Sequence, residues 1–216
     1  MPQIFGPGAN SLSRFTILGL VLGAGLVLAI LMAYQRSSYV TFLGVNRPQP
    51  VQFSHKHHVG DDGIDCRYCH TSAETGDNAG MPSTQTCMNC HQYIWANSPY
   101  LAPVRDSWAT GKPIIWTKVY DTAHFAYFNH SIHVAKGVGC TTCHGQVDEM
   151  NGMFKAETMS MEYCITCHFN PAQFVRPKSE VFNVNYVPPA NQAVVGAQLV
   201  ADYKIESLVS CSTCHR

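Results

Sequence analysis

All ten cysteines of this chain belong to one repeated pentapeptide, Cys-x-x-Cys-His, which occurs five times. On a helical turn, positions i, i+3 and i+4 share one face, so both thiols and the imidazole of each copy point the same way. The two thiols can bond the edge of a porphyrin while the imidazole reaches its iron. This pattern is the attachment signature of c-type haem, and the sequence predicts five covalently bound c-type haems. Numbered along the chain, the motifs are Cys66–His70, Cys87–His91, Cys140–His144, Cys164–His168 and Cys211–His215.

The motif gives each of its residues a role. The thioether bonds would be made by Cys66, Cys69, Cys87, Cys90, Cys140, Cys143, Cys164, Cys167, Cys211 and Cys214. The proximal iron ligands would be His70, His91, His144, His168 and His215. Because the thioether bonds use every sulfur of these cysteines, we expect the mature protein to contain neither a disulfide nor a free thiol.

Two other interpretations of the cysteines account for the pattern less well. Structural zinc sites take four ligands, which two Cys-x-x-Cys pairs can supply, but five motifs do not divide into pairs. Zinc binding also gives no reason for a histidine after each second cysteine. A disulfide framework would fit the number of cysteines and would leave the histidines unexplained. We therefore favour haem attachment over both.

Residues 15–34 form an apolar run without a charged side chain. A helix of this length spans the hydrocarbon core of a bilayer, which is about 30 Å thick. A cleaved signal peptide has a shorter apolar region of about 7–15 residues, and no clear Ala-x-Ala cleavage site follows this run. The sequence predicts an uncleaved transmembrane anchor at 15–34, preceded by a cytoplasmic N-terminus at 1–14 and followed by a linker at 35–50.

The orientation of the anchor follows from haem chemistry, because one arginine (Arg14, Arg36) stands on each side of the apolar run. Bacteria ligate haem to Cys-x-x-Cys-His outside the cytoplasmic membrane, so the C-terminal body must be translocated. We expect a single-pass protein of the cytoplasmic membrane with its haem domain on the periplasmic side. The formal net charge is zero, and no basic stripe of the kind that nucleic acid requires is present, which excludes nucleic-acid binding.

The fold class follows from the density of the motifs. Five haems would share a stretch of chain no longer than one ordinary domain, so the porphyrins must supply much of the buried apolar surface. The 12 prolines and 16 glycines are typical of a chain that wraps its cofactors. We expect a multihaem cytochrome c with one N-terminal transmembrane helix and an irregular, haem-wrapped domain of loops and short helices with little sheet.

The chain contains an internal duplication. A Phe-x-His-x-x-His block precedes the first motif at residues 53–58 and the third motif at residues 128–133, and a further motif follows each of these two. The expected segments are a first dihaem repeat with its connecting segment at 51–127, a second dihaem repeat at 128–190 and a C-terminal fifth-haem segment at 191–216.

Low-spin haem iron takes a second axial ligand, which histidine or methionine supplies. The duplication nominates the paired histidines of the two blocks, which are His55, His58, His130 and His133. Two ligands three residues apart that serve different haems would hold those haems close together, and this pattern resembles the class III multihaem cytochromes. His57 lies between two of the nominated residues, and we expect it not to bind iron.

The duplication does not determine the distal ligand of the fifth haem. His124 alternates with Ala126, Phe128 and His130 in a period of two and could share their inward face. Several methionines lie between the third and fourth motifs, and any one of them could give a His/Met haem. They are Met150, Met153, Met159 and Met161.

The segments together resemble the pentahaem cytochrome c subunit of alternative complex III, a bacterial quinol:electron-acceptor oxidoreductase. The resemblance covers nearly the whole chain. It rests on the N-terminal anchor, on FSHKHHVGDDGIDCRYCH and MPSTQTCMNCH, and on YFNHSIHVAKGVGCTTCHGQVDEM followed by MSMEYCITCH. Since that family more often has an acidic residue at the position of His124, the resemblance favours Met150 as the fifth distal ligand, ahead of Met161, Met159 and His124.

The resemblance also implies a function. Quinol would be oxidised on neighbouring membrane subunits, and this chain would relay the electrons outward to a downstream acceptor in a respiratory or photosynthetic complex. The implied partners are an iron–sulfur subunit, polysulfide-reductase-type integral membrane subunits and a monohaem cytochrome. We expect an electron carrier without catalytic residues of its own. The alternatives are a stand-alone multihaem quinol dehydrogenase and, with less support, a multihaem reductase, which would need an iron with an open position.

Overall fold

The chain divides into two units, of which the first ends at Leu43 and the second begins at Gly44. This architecture comes from a computed structural model that describes residues 4–215. Residues 1–3 of the expected cytoplasmic N-terminus and Arg216 of the fifth-haem segment therefore lie outside the described residues. The first unit holds the apolar run, and the second holds all five Cys-x-x-Cys-His motifs.

The first unit contains a long helix, α1 (Ala9–Arg36), of 28 residues. It includes the predicted span 15–34 and extends beyond it at both ends. At 1.5 Å per residue it is about 42 Å long, which exceeds the thickness of the hydrocarbon core. Its leucines, valines and isoleucines are all more than half exposed. By length and composition α1 could cross a membrane, and it fits a single-pass anchor.

Removing residues 1–36 is expected to give a soluble, haem-loaded protein when the rest of the chain follows a cleavable export signal. The reason is that α1 is the one helix of the described chain that is long and apolar enough to cross a membrane. Cell fractionation with haem staining measures the outcome, and the full-length chain behind the same signal is the control. A native mature protein that begins after Tyr34 would contradict the uncleaved anchor.

The second unit consists of short helices joined by long loops, and its described residues contain three isolated β-bridges and no strand. After α2 (Ser38–Thr41) of the first unit, its α-helices are α3 (Cys66–Cys69), α4 (Thr84–His91), α5 (Ala102–Thr110), α6 (His130–Ala135), α7 (Cys140–His144), α8 (Met161–Phe169), α9 (Gln192–Asp202) and α10 (Cys211–Cys214). A π-helical segment spans Lys56–Asp61, and 3-10 turns span Pro99–Leu101, Val147–Glu149, Pro171–Gln173 and Lys178–Glu180.

The described part of the second unit buries few apolar side chains. They are Val51, Ala73, Leu101, Val104, Met150, Val175 and Val181. The largest group, Val51, Leu101 and Val104, packs α5 beside α4. Side chains alone cannot supply the apolar interior that a domain of this size normally has. The small core fits a domain whose interior is completed by porphyrins, as the density of the motifs predicts.

Short polar residues start several of the helices that carry site residues. The Asp65 carboxylate accepts from the Arg67 N–H at 2.8 Å at the start of α3. Asn129 accepts from the Ile132 N–H at 3.3 Å at the start of α6, and Ser160 begins α8 in the same way. Such N-caps stabilise a helix by about 0.5–2 kcal/mol. In α3 and α8 they help to determine where the motif turn begins, and therefore where its cysteines and histidine point.

Candidate haem-binding sites

The five motifs lie on α3, α4, α7, α8 and α10. In the two shortest of these helices the histidine follows directly, and its N–H donates to the carbonyl of the first cysteine. The distance is 2.9 Å for both His70 to Cys66 and His215 to Cys211. The histidine therefore stands one turn from the first cysteine, as the spacing predicts. None of the ten cysteines forms a disulfide in the structure, so the two sulfurs of each motif are available to the same ligand.

Three motif histidines contact a backbone carbonyl through Nδ1. The distances are 2.7 Å from His70 to Gly80 O, 3.0 Å from His91 to Ile94 O and 3.1 Å from His215 to Phe125 O. An Nδ1–H that donates to a carbonyl fixes the ring orientation and the tautomer, and leaves Nε2 free for a metal. This arrangement is typical of metal-binding histidines.

The two Phe-x-His-x-x-His blocks have the same geometry. In the first, Phe53 lies edge-on to His55, with ring centroids 4.9 Å apart, and stacks on His58 at 4.4 Å. In the second, the corresponding distances are 4.8 Å and 4.6 Å, for Phe128 with His130 and His133. The agreement holds although the first block leads into a π-helical segment and the second into α6. The duplication seen in the sequence is therefore also a duplication of ring positions.

Three of the four block histidines are also oriented by backbone carbonyls. The second histidine of each block contacts the carbonyl four residues earlier through Nδ1, at 2.8 Å from His58 to Ser54 O and 2.7 Å from His133 to Asn129 O. His130 contacts Asp77 O, in the first repeat, at 3.0 Å. Each contact leaves Nε2 free, as in the motif histidines.

Three of the block histidines face motif histidines. The ring centroids are 6.1 Å apart for His58 and His91, 6.4 Å apart for His130 and His144, and 6.2 Å apart for His133 and His168. Two imidazoles bonded to opposite sides of one metal ion at about 2.0–2.1 Å would have centroids roughly 6 Å apart. The residues present therefore fit an iron between the two rings of each pair.

The remaining block histidine, His55, is partly buried near His70. Burial, followed by the charges of His70 and His58, lowers the pKa of His55 to about 4. Its Nδ1 is buried and has no hydrogen-bond partner among the described residues. A buried orphan nitrogen is rare and requires a partner outside the chain, such as a bound iron or water. Burial also lowers the pKa of His144 to about 4, with smaller effects of His130, His70 and His55, so these imidazoles are neutral, the form that binds metals.

His57 lies beside His58, with the ring centroids 5.4 Å apart, and is exposed to solvent. Its side chain is 57% exposed, and its ring nitrogens are 3.6 Å from the carboxylates of Asp61 and Asp62. Its ring stacks on that of Trp95, with the centroids 6.4 Å apart. These surroundings are those of a surface residue, and the expectation that His57 does not bind iron stays a prediction.

The described contacts of Met150 lie near the first Phe-x-His-x-x-His block and the end of the third motif. The side chain of Met150 is buried, and its carbonyl accepts from the Lys56 N–H at 3.0 Å. Its Cε is 3.5 Å from the position that a Cβ of Gly145 would take. The fifth motif, in contrast, packs on residues 125–127, which directly follow His124, through a bridge between Ala126 and His215. The role of Met150 as the fifth distal ligand stays a prediction.

The motifs of the first repeat contact each other and the third motif. Asn89, within the second motif, donates to the hydroxyl of Tyr68, within the first, at 3.0 Å. The side chains of Cys66 and Cys140 lie close to each other, which joins the first motif to the third. The first motif therefore lies between the second and the third.

The later motifs continue this series of contacts. Tyr163, in the fourth motif's helix α8, donates to Thr142 O of the third motif at 2.7 Å. Ser207, shortly before the fifth motif, donates to His168 O of the fourth at 2.8 Å, and Cys164 interacts electrostatically with Cys214. Along the molecule the motifs therefore follow each other in the order second, first, third, fourth, fifth, which differs from their order in the chain.

Sequence comparison gives the family. The family described as cytochrome c7 and related cytochrome c matches residues 51–99 and 126–216, which include all five motifs and both Phe-x-His-x-x-His blocks. The chain belongs to this family. Membership implies covalently bound c-type haem with iron, the cofactor that the motifs predict. The fold class predicted from the sequence, a multihaem cytochrome c of helices and loops with one apolar N-terminal helix, is confirmed.

A relative of this cytochrome has a named place in a complex. The chain is 30% identical over 168 residues to the menaquinone reductase, multihaem cytochrome c subunit of Nitratidesulfovibrio vulgaris. The similarity covers 68% of this chain and 79% of that protein.

Proposed function

We propose that this cytochrome is a membrane-anchored, five-haem electron-transfer subunit of a quinol-linked complex. The observation that carries the proposal is the unbroken series of contacts from the second motif through the first, third and fourth to the fifth. Haems attached to these motifs would form one row, with the second and the fifth at its two ends. Electrons could enter at one end and leave at the other.

The proposed ligand sets explain why this subunit carries electrons and performs no substrate chemistry. His55 with His70, His58 with His91, His130 with His144 and His133 with His168 would each hold one iron from both sides. An iron with two strong axial ligands has no open position for a substrate. The fifth haem would take His215 and, as its distal ligand, Met150, with His124 as the alternative.

The resemblance and the relative together support a proposed position of the complex in the electron-transport chain. Electrons from quinol oxidised on neighbouring membrane subunits would pass along the haem row to an acceptor on the periplasmic side. The proposed partners are an iron–sulfur subunit, polysulfide-reductase-type membrane subunits and a monohaem cytochrome, as in alternative complex III. The name of the relative, a menaquinone reductase, favours a second candidate in which the same row carries electrons towards the quinone.

Quinol reduction separates these proposals from the stand-alone quinol dehydrogenase. In the purified native complex, a menaquinol analogue is expected to reduce the haems within the mixing time of a stopped-flow experiment, and the isolated full-length chain is expected to stay oxidised. Reduction of the isolated chain would establish the stand-alone enzyme instead. If menaquinone oxidises the pre-reduced complex and menaquinol does not reduce the oxidised complex, the direction of transfer is towards the quinone.

The number of haems is tested by mass. The intact mass of the purified protein is expected to exceed the mass of its polypeptide by five haems, because each motif has both sulfurs free for one porphyrin. The double variant Cys211→Ala, Cys214→Ala is the control and should carry one haem fewer. A wild-type mass with four haems or fewer would show that one of the motifs is not an attachment site.

A further inference from the structure

Arg176 is a buried cation that forms no salt bridge in the described part of the chain, although the charge of Glu180 acts on it. Its side chain is 6% exposed. One terminal nitrogen donates to Thr141 Oγ1 at 3.1 Å and Thr142 Oγ1 at 3.4 Å, and the other donates to Asn183 O at 3.3 Å. Its Nε is buried without a partner. Every hydrogen bond that the guanidinium makes in the described residues thus ends on a neutral oxygen.

The guanidinium lies on the backbone where the third haem motif begins. Gly139 is the N-cap of α7, and a Cβ at this position would collide with the guanidinium carbon Cζ. On another side, the guanidinium lies over the ring of Tyr186, 4.6 Å from its centroid. Thr141 and Thr142, which accept its hydrogen bonds, are the two variable residues of the Cys140–His144 motif. The positive charge is therefore fixed against the attachment site of the third haem.

Burial lowers the pKa of Arg176. The ordinary pKa of arginine is about 12.5 or higher, so the side chain stays charged at neutral pH. A full positive charge in a poorly solvated site acts more strongly on its neighbours than one in water.

In the first repeat, an exposed pair of opposite charges lies where the second repeat has the buried positive charge. Asp65 precedes Cys66 as Gly139 precedes Cys140, and its carboxylate pairs with Arg67 at 2.8 Å. These two side chains are about half exposed, at 46% and 49%. Their charges cancel and are screened by water. The duplicated motifs thus differ by one buried positive charge on the side of the third.

We propose that Arg176 raises the reduction potential of the third haem above that of the first. Reduction removes one positive charge from the haem, so a fixed buried cation beside it favours the reduced form. Nearby charge and burial are among the factors that set haem potentials. The proposal rests on the proposed function, since it requires a haem on each of these motifs. The first and third haems hold equivalent places in the two repeats. Of these two, the third, in the middle of the row, would be reduced first.

Potentiometric titration of the full-length, haem-loaded protein tests this role. The third haem is first identified with His130→Ala, which should turn that haem alone high-spin. In Arg176→Met the potential of this component is expected to fall by about 59 mV, which is a tenfold change in its ratio of reduced to oxidised form. Arg176→Lys keeps the charge and should restore most of the wild-type value. Arg67→Ala, at the exposed pair, should shift the potentials much less.

The outcomes separate a charge effect from a structural one and from a failure of the proposed function. Unchanged potentials in an Arg176→Met protein with five low-spin haems would overturn the proposal. If Arg176→Met loses a haem, Arg176→Gln, whose amide can still donate to Thr141 or Asn183, carries the measurement. A lower potential in Arg176→Lys as well would indicate a role in shape alone and would also overturn the proposal. A wild-type protein without a haem on the third motif would instead contradict the proposed function.

Discussion

Replacing His58 with alanine is expected to turn one of the five haems from low spin to high spin while all five stay attached. The ring of His58 faces that of His91 across 6.1 Å, so it is the nearest candidate for the second ligand of that iron. Without it, water or no ligand takes the position, and the iron becomes high-spin. Electron paramagnetic resonance of the oxidised protein, together with the intact mass, measures the change.

The duplication and the neighbouring histidine supply matched controls. His133→Ala should have the same effect on the fourth haem, because His133 holds the same place relative to Phe128 as His58 holds relative to Phe53. His57→Ala should leave all haems low-spin, because its side chain is 57% exposed and contacts Asp61 and Asp62. Identical spectra for His57→Ala and His58→Ala would contradict the proposed ligand.

Loss of the third haem is expected to stop electron transfer between the two ends of the protein. The third motif links the first motif to the fourth in the row of contacts. Among the described residues, no other contact between motif residues joins the second and first motifs to the fourth and fifth. The double variant Cys140→Ala, Cys143→Ala removes both thioether bonds of this haem. With a photoreductant attached near the second motif, flash-induced reduction should spread to two haems in the variant and to all five in the wild type.

The control for this experiment is loss of a terminal haem. In Cys211→Ala, Cys214→Ala the flash-induced electrons should still reach the first four haems at wild-type rates, because the fifth motif is the end of the row of contacts found among the described residues. Circular dichroism and intact mass confirm that each variant is folded and lacks a single haem. Reduction of the fourth haem at wild-type rates without the third would contradict the order of the row.

The parts of the molecule that depend on local spacing could be predicted from the sequence. A Cys-x-x-Cys-His motif fits on one helical turn, and the structure has a helix at every copy. The apolar run predicts its helix for the same reason, although α1 begins at Ala9, since residues outside the membrane core can continue the backbone hydrogen bonds. The duplicated blocks predicted which four histidines are oriented alike, because each block has its ring positions set by its own phenylalanine.

The parts that depend on contacts between distant segments could not be predicted in this way. The order of the motifs along the row comes from side chains such as Tyr163 and Asn89, which no spacing rule identifies. Nothing in the sequence distinguishes Arg176 from any other arginine in a loop. The one sequence feature that pointed to a difference between the two repeats was Asp65 in the first at the position of Gly139 in the second. The fifth haem has no Phe-x-His-x-x-His block, so the choice between Met150 and His124 had no second copy to support it.

Locating the irons of the haem-loaded protein tests directly whether the haems form the proposed row with the proposed ligand pairs. Anomalous diffraction at the iron absorption edge gives their positions independently of the protein chain. We expect five irons in one row, in the order second, first, third, fourth, fifth. We also expect both imidazoles of each histidine pair to bond to a shared iron, the pairs being His58–His91, His130–His144 and His133–His168. Fewer than five irons, a branched arrangement, or any of these pairs without an iron between its rings would contradict this arrangement.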